Sequence, residues 1–276
     1  MTTNVFQKVT SQDGTIIAYD RLGQGPVLRL VAAALSTREE VAPLAGLLAE
    51  QFTVINYDRR GRGDSTNAYS GSAGSGSVQR EVEDIAALIE AAGGRASLFG
   101  SSSGAVLALE AANRLAGRVE KLALFEPPFI VDDSRPPVPA DYTARVAGLA
   151  TAGKRGEAVE FFMGEAVGIP AEFLAEMKQS PMWPAMEALA HTLAYDGAVM
   201  GETQRGKPLH AGQWPGVTAS TLVMAGGESP DWLRNAGQSL ANTLPNAQYR
   251  ELAGLDHSAA VMAPDALAPV LVEYLF

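Results

Sequence analysis

The sequence predicts an α/β fold: a mostly parallel central sheet flanked by helices, with a helical segment inserted late in the chain. Three observations carry this reading. Short apolar runs alternate with longer amphipathic stretches, the rhythm of strands joined by crossover helices. A break follows Glu126, where Pro127, Pro128, Pro136, Pro137 and Pro139 interrupt the chain and strand patterns stop until Ser220. The strand rhythm then resumes and closes on a helix. At 276 residues, the chain fits one large domain or a core with an insertion.

The elements follow in order. Residues 15–20 form an early strand, and the turn Gly23-Gln24-Gly25-Pro26 leads into a second over 27–31. Val41, Leu44, Leu47 and Leu48 recur at helical spacing within 39–50, and a strand over 52–57 comes next. The segment 70–77 is so rich in Ser and Gly that no packed element is expected there. An amphipathic helix over 78–92 ends at Gly93-Gly94. Strands are expected over 96–99 and 122–125. Beyond the proline cluster the chain reads as several helices rich in Met, Phe and Trp, an inserted cap over 129–215. The core then spans 1–128 and 216–276, with strands over 221–225 and 248–252 and a last helix over 264–274.

Composition narrows the function. Hydrophobic residues make up 47% and charged residues 19%, an ordinary globular balance. The net charge of -10 disfavours a phosphate backbone as partner and excludes a polybasic membrane anchor, so neither nucleic acid nor a membrane is expected. Cysteine is absent, which removes disulfides, thiolate zinc sites and a cysteine nucleophile. The first fourteen residues lack a basic-then-apolar leader pattern, and no apolar run is long enough to span a bilayer; a cytoplasmic location is the expectation. Three scattered histidines and no Gly-rich phosphate loop imply no metal and no organic cofactor.

The most informative stretch is Gly100-Ser101-Ser102-Ser103-Gly104, a G-x-S-x-G between an apolar strand and the helix opening Ala105-Val106-Leu107. A serine on a sharp strand-to-helix turn needs small neighbours two residues away, and the helix N-terminus beneath it offers unpaired N–H groups to a developing oxyanion. Ser102 is the candidate nucleophile. Its base must be a histidine; His191 and His210 fall in the inserted region, which leaves His257 after the final strand.

These motifs, with Asp58-Arg59-Arg60-Gly61-Arg62-Gly63-Asp64-Ser65 after a strand, resemble the α/β-hydrolase family, whose D-x-R-G-x-G-x-S turn, nucleophile turn, cap and C-terminal histidine occur in the same order. The resemblance implies that fold and a serine hydrolase triad. Ser102 in place of an aspartate nucleophile argues against epoxide hydrolase and haloalkane dehalogenase chemistry. The acid departs from the commonest pattern. Where many members carry an aspartate after the penultimate strand, this chain has Gly226-Gly227-Glu228-Ser229, with Asp231 nearby. Glu126, directly after an apolar strand, is the alternative family position and the favoured acid; Glu228 and Asp231 stay open. The family's His-Gly oxyanion loop is replaced by Ala32-Ala33-Ala34-Leu35, and the N–H groups of Ser103 and Ala34 are expected to form the hole.

The pairing of a Ser-Ser-Gly turn with Glu126-Pro127 also resembles the zearalenone lactonases, which use a glutamate at this strand end and a cap tryptophan in a Pro-x-Trp context. Ser180-Pro181-Met182-Trp183 is similar to that motif and places Trp183, Met182 and Met186 as substrate-binding candidates. The implied activity is hydrolysis of a small-molecule ester or lactone. A generic carboxylesterase, a C–C hydrolase or perhydrolase, and a non-hydrolysing binder are the alternatives. A homodimer is compatible with the sequence.

Overall fold

The structure, a computed structural model, describes residues 6–69, 71 and 75–276. Among the described residues eight strands form one sheet: β1 (Gln7–Thr10), β2 (Ile16–Leu22), β3 (Val27–Val31), β4 (Thr53–Tyr57), β5 (Ala96–Ser101), β6 (Val119–Phe125), β7 (Ser220–Gly226) and β8 (Ala247–Leu252). Their spatial order is β1-β2-β4-β3-β5-β6-β7-β8. The first two strands run antiparallel to their neighbours, and every pairing from β4 onward is parallel. Strand β1, short and mostly exposed, escapes the sequence reading because its residues Gln7-Lys8-Val9-Thr10 lack an apolar face.

Central strands buried on both faces read as continuous apolar runs, and β5 is buried along its whole length. Alternate side chains feed two cores. On one face Leu98, Leu122 and Leu124 meet helices α2 (Ser75–Ala91), α3 (Ser103–Arg114) and α9 (Asp231–Thr243). On the other Phe99, Phe125 and Met224 meet α1 (Ala42–Leu48) and α11 (Pro264–Leu275), with the short α10 (Ala259–Met262) beside them. Helix α2 starts at Ser75, inside the stretch expected to be irregular; Ser70 and residues 72–74 of that stretch lie outside the described residues. Among the described residues no helix is long and apolar enough to cross a membrane.

Between β6 and β7 the chain forms five α-helices: α4 (Tyr142–Thr151), α5 (Arg155–Phe161), α6 (Ala171–Met177), α7 (Trp183–Leu189) and α8 (Leu193–Met200). Helix α5 runs on into a wider π-helical turn over Phe162–Val167, stopped by Gly168 in the left-handed region at φ 88°. These helices build a third apolar core around Tyr142, Val146, Val159, Trp183 and Leu193. Leu35, from the loop after β3, reaches into this core and ties it to the sheet.

Candidate active site

Three residues outside glycine have positive φ among the described residues: Leu35 at 53°, Ser102 at 53° and Glu126 at 50°. Each directly follows or closely trails the C-terminal end of a parallel strand, and such strain persists only where its surroundings hold it. Strain therefore collects at one edge of the sheet.

Ser102 turns the chain from β5 into α3. The two glycines of its motif are required by close approach. A Cβ on Gly100 would lie 2.3 Å from the Gly104 carbonyl oxygen, and one on Gly104 would lie 2.1 Å from the Val31 carbonyl oxygen. Helix α3 is itself buried through Ala105, Val106, Leu107, Ala108 and Leu109, so the turn sits on a rigid base.

The structure brings Ser102, His257 and Glu126 together. His257, in the loop after β8, places Nε2 3.0 Å from Ser102 Oγ and Nδ1 2.6 Å from Glu126 Oε2. Glu126 is fully buried, and its other oxygen accepts the Gly226 N–H at 2.7 Å. The turn where the resemblance would place the acid thus reaches Glu126 through backbone: a Cβ on Gly226 would lie 2.2 Å from the Leu255 carbonyl oxygen. Glu228 lines the cavity above, and Asp231 pairs with Arg234 at the start of α9; neither is hydrogen-bonded to His257 among the described residues. Asp256, next to His257 in sequence, caps the following turn through the Ser258 N–H and hydroxyl.

A cavity of about 650 Å³ opens over Ser102 and His257. Ala34 and Ser103 line it, and neither of their N–H groups has a hydrogen-bond partner among the described residues. One wall is apolar, built by Phe162 and Val167 of the π-helical turn, by Ile169 just after it, and by Trp232 and Leu233 of α9. Arg135 closes that wall: its guanidinium lies 4.6 Å from the Trp232 ring centroid and donates to the Glu165 and Ala166 carbonyls at 2.9 and 3.0 Å. Burial lowers the Arg135 pKa.

The expected substrate contacts are corrected here. Trp183, Met182 and Met186 do not line the cavity. Trp183 is buried in the core of the inserted helices and donates Nε1–H to Glu187 Oε1 at 3.0 Å, while Met182 is exposed to solvent. A Pro-x-Trp pattern at a helix start does not specify which side the indole takes; here the apolar interior of the five helices claims it. The indole that reaches the cavity is Trp232, which follows Asp231 at the start of α9 and carries no local motif. His191 bridges instead, from Nε2 to the Gly61 carbonyl at 2.8 Å and from Nδ1 to the Ala188 carbonyl at 3.1 Å.

A buried charge network adjoins the cavity, and its Asp196 is one of the lining residues. Arg60 pairs with Asp84 and Asp13, and Asp58 accepts from the Arg38 and Asp64 N–H groups, so this part of the turn is held mainly by groups from α2, the β1–β2 turn and the loop after β3. Arg59 and Arg62 reach further, to Asp196 of α8. Asp196 was not singled out from sequence, although a lone aspartate within the apolar run of α8 is the signal that marks it. Burial opposes the Asp196 charge, but Arg62, Arg59 and the Ser103 hydroxyl outweigh it and hold its pKa below the usual range.

Comparisons with known proteins bear on the family and the fold. The model of the alpha/beta hydrolase family matches residues 32–270. An alpha/beta hydrolase from Sphaerobacter thermophilus DSM 20745 is 52% identical, with a TM-score of 0.87 over 98% of this chain and 100% of that one. An uncharacterized hydrolase of Bacillus subtilis (strain 168), YraK, is 32% identical over 117 residues, which span 41% of this chain and 42% of that protein. The enol-lactonase from Burkholderia xenovorans LB400 superposes with a TM-score of 0.69 over 98% of this chain and 99% of that one, at 23% identity, and shares the fold.

Proposed function

The chain belongs to the alpha/beta hydrolase family, and we propose that it hydrolyses a carboxylic ester or lactone through an acyl-enzyme on Ser102. One observation carries the reading: Ser102 Oγ, His257 and Glu126 stand in a continuous hydrogen-bonded line at the floor of a cavity large enough for a drug-sized ligand.

In this reading the Glu126 carboxylate accepts the Nδ1 proton and so keeps the Nε2 lone pair of His257 facing Ser102. Ser102 Oγ attacks the ester carbonyl carbon as its proton passes to Nε2. The carbonyl oxygen becomes an anion held by the Ser103 and Ala34 N–H groups. Collapse breaks the C–O bond, His257 returns the proton to the leaving alkoxide, and the acyl group stays on Ser102. Water then repeats the sequence and releases the acid. With a lactone the leaving alcohol remains tethered to the acyl group, so one hydroxy acid leaves instead of two products.

The finer reading is a zearalenone-type macrolactone. Its support is Glu126 as the acid and an aromatic-lined cavity of suitable volume, with Trp232 in the role that the sequence assigned to Trp183. Two measurements test the proposal. A fluorophosphonate probe should label Ser102, and p-nitrophenyl butyrate should be hydrolysed by the wild type but not by Ser102→Ala. Failure of both ends the serine hydrolase reading. Incubation with zearalenone should give the ring-opened product by chromatography; turnover of short esters without that product removes the macrolactone.

A further inference from the structure

We propose that Asp196 is a positioning residue for the oxyanion hole, acting through Arg59, Arg62 and the Ser103 hydroxyl; this rests on the serine hydrolase reading above. The motivation is a problem the sequence poses. The loop after β3 carries Ala32-Ala33-Ala34-Leu35 and no glycine, and Leu35 takes the left-handed region. Something must hold its peptide planes in place.

The structure shows what does. Arg62 Nη1 donates to the Ala33 carbonyl at 2.5 Å, and Arg59 Nη1 reaches the Ala32 carbonyl at 3.4 Å. The Ala33 carbonyl and the Ala34 N–H belong to one planar trans peptide, in which the two groups point in opposite directions. Holding the carbonyl against Arg62 therefore fixes the direction of the Ala34 N–H. Both guanidinium groups in turn bind one carboxylate, with Arg59 held also by Glu81 at Nε and Nη2, 2.7 and 2.9 Å. Asp196 Oδ1 accepts Arg59 Nη1 at 2.8 Å, and its two oxygens take Arg62 Nη2 at 3.0 and 2.8 Å.

The same carboxylate holds the other half of the hole. Ser103 Oγ donates to Asp196 Oδ1 at 2.8 Å, which ties the first residue of α3 to the same point. Asp196 thus reaches both backbone N–H groups through side chains, at 3% exposure. Arg59, Arg62 and Glu81 are buried with it, and the four charges together sum to zero. Apolar packing in place of buried ions is often neutral or stabilising, so burial of four ions here is in keeping with a role in orientation rather than in stability. Asp196 lies on α8, so the inserted helices supply the anchor of the hole beneath them.

The test compares Asp196→Asn, Arg62→Lys and Ser103→Ala with the wild type. Rates on p-nitrophenyl butyrate are normalised to active sites titrated with the fluorophosphonate. Losing one oxyanion donor outright costs about 10²–10³ in kcat, so a misaligned donor should cost about tenfold. Asp196→Asn is expected to lower kcat by that factor or more with KM within about twofold. The affinity for an aryl trifluoromethyl ketone, whose tetrahedral adduct needs the hole, should fall in step. Ser103→Ala leaves both guanidinium pairs in place and should lose about threefold in both readouts. If Asp196→Asn does not fold, Ser103→Ala and Arg62→Lys decide the matter. Unchanged kcat per site and unchanged ketone affinity in the folded variants would overturn the proposal, as would an effect confined to KM. An inactive, unlabelled wild type would overturn the hydrolase reading and this one together.

Discussion

Replacing Glu126 with glutamine tests the proposed acid through a proton rather than through shape. Glu126 accepts at both oxygens, from the Gly226 N–H at 2.7 Å and from His257 Nδ1 at 2.6 Å. Glutamine has one acceptor and one donor. The Gly226 N–H is fixed and can only donate, so the amide oxygen must face it. The amide NH2 then faces Nδ1, which has to present its lone pair. That places the imidazole proton on Nε2, the nitrogen 3.0 Å from Ser102 Oγ, where a base is needed. The tautomer is inverted with almost no change in geometry.

By analogy with other triads, a wrong tautomer costs about 10⁴ in kcat, equivalent to ~5.5 kcal/mol of transition-state stabilisation. Glu126→Asp keeps the charge but withdraws the carboxylate by about one C–C bond, ~1.5 Å, and should fall between the wild type and Glu126→Gln. The assay is the initial rate on p-nitrophenyl butyrate per titrated site, with circular dichroism to show that the fold is kept. If Glu126→Gln stays within about tenfold of the wild type, or if Glu228→Gln or Asp231→Asn loses as much, the assignment of Glu126 is wrong.

Other outcomes follow from the same structure. Trp232→Ala should raise KM for bulky aromatic esters far more than for p-nitrophenyl acetate, whereas Trp183→Ala should lower thermal stability by about 3–5 kcal/mol without that selectivity; the two are separated by kinetics and calorimetry. Arg29 is fully buried in β3 with Nε and Nη1 unpartnered, and burial pushes its pKa down to about 9. Arg29→Met should therefore be neutral or stabilising by up to about 4 kcal/mol in a denaturation curve, and a clear fall in Tm would refute this. Burial opposes the charge of Asp13, but hydrogen bonds from Arg60 and Thr15 outweigh it and hold its pKa down at about 2. A carboxylate with a lowered folded pKa stabilises above its ordinary pKa and loses that contribution as pH falls, here from about 4 to 2. Urea midpoints across that window should fall less steeply in Asp13→Asn than in the wild type.

The parts of the molecule readable from sequence are those governed by local rules. The sheet and its flanking helices follow apolar periodicity, and both glycines around Ser102 are dictated by backbone passing within contact distance of other backbone. Glu126 was legible because a carboxylate after a buried parallel strand has only one edge to occupy. What was not legible depends on packing between segments far apart in the chain. Trp183 and Trp232 are both indoles near the start of a helix, and only the assembled core decides that the first turns inward among α4, α5 and α8 while the second meets the cavity. Asp196 is 93 residues from Ser103 and more than 130 from Arg59 and Arg62, so no spacing within the sequence could pair them.

The displaced acid and the glycine-free oxyanion loop are then two instances of one arrangement. At both positions a residue that the family resemblance leads one to expect is missing, and at both the proposed role passes to a group fixed from outside the loop. The turn after β7 has no carboxylate in register, yet its Gly226 N–H holds Glu126 from the neighbouring strand. The loop after β3 has no glycine, yet its carbonyls are held by guanidinium groups anchored on α8. The left-handed backbone at Leu35, Ser102 and Glu126 falls at these same places. A site held in this way tolerates little relaxation: a substitution in the anchors should change kcat before it changes substrate binding, because what the anchors fix is the direction of N–H groups and of one imidazole proton.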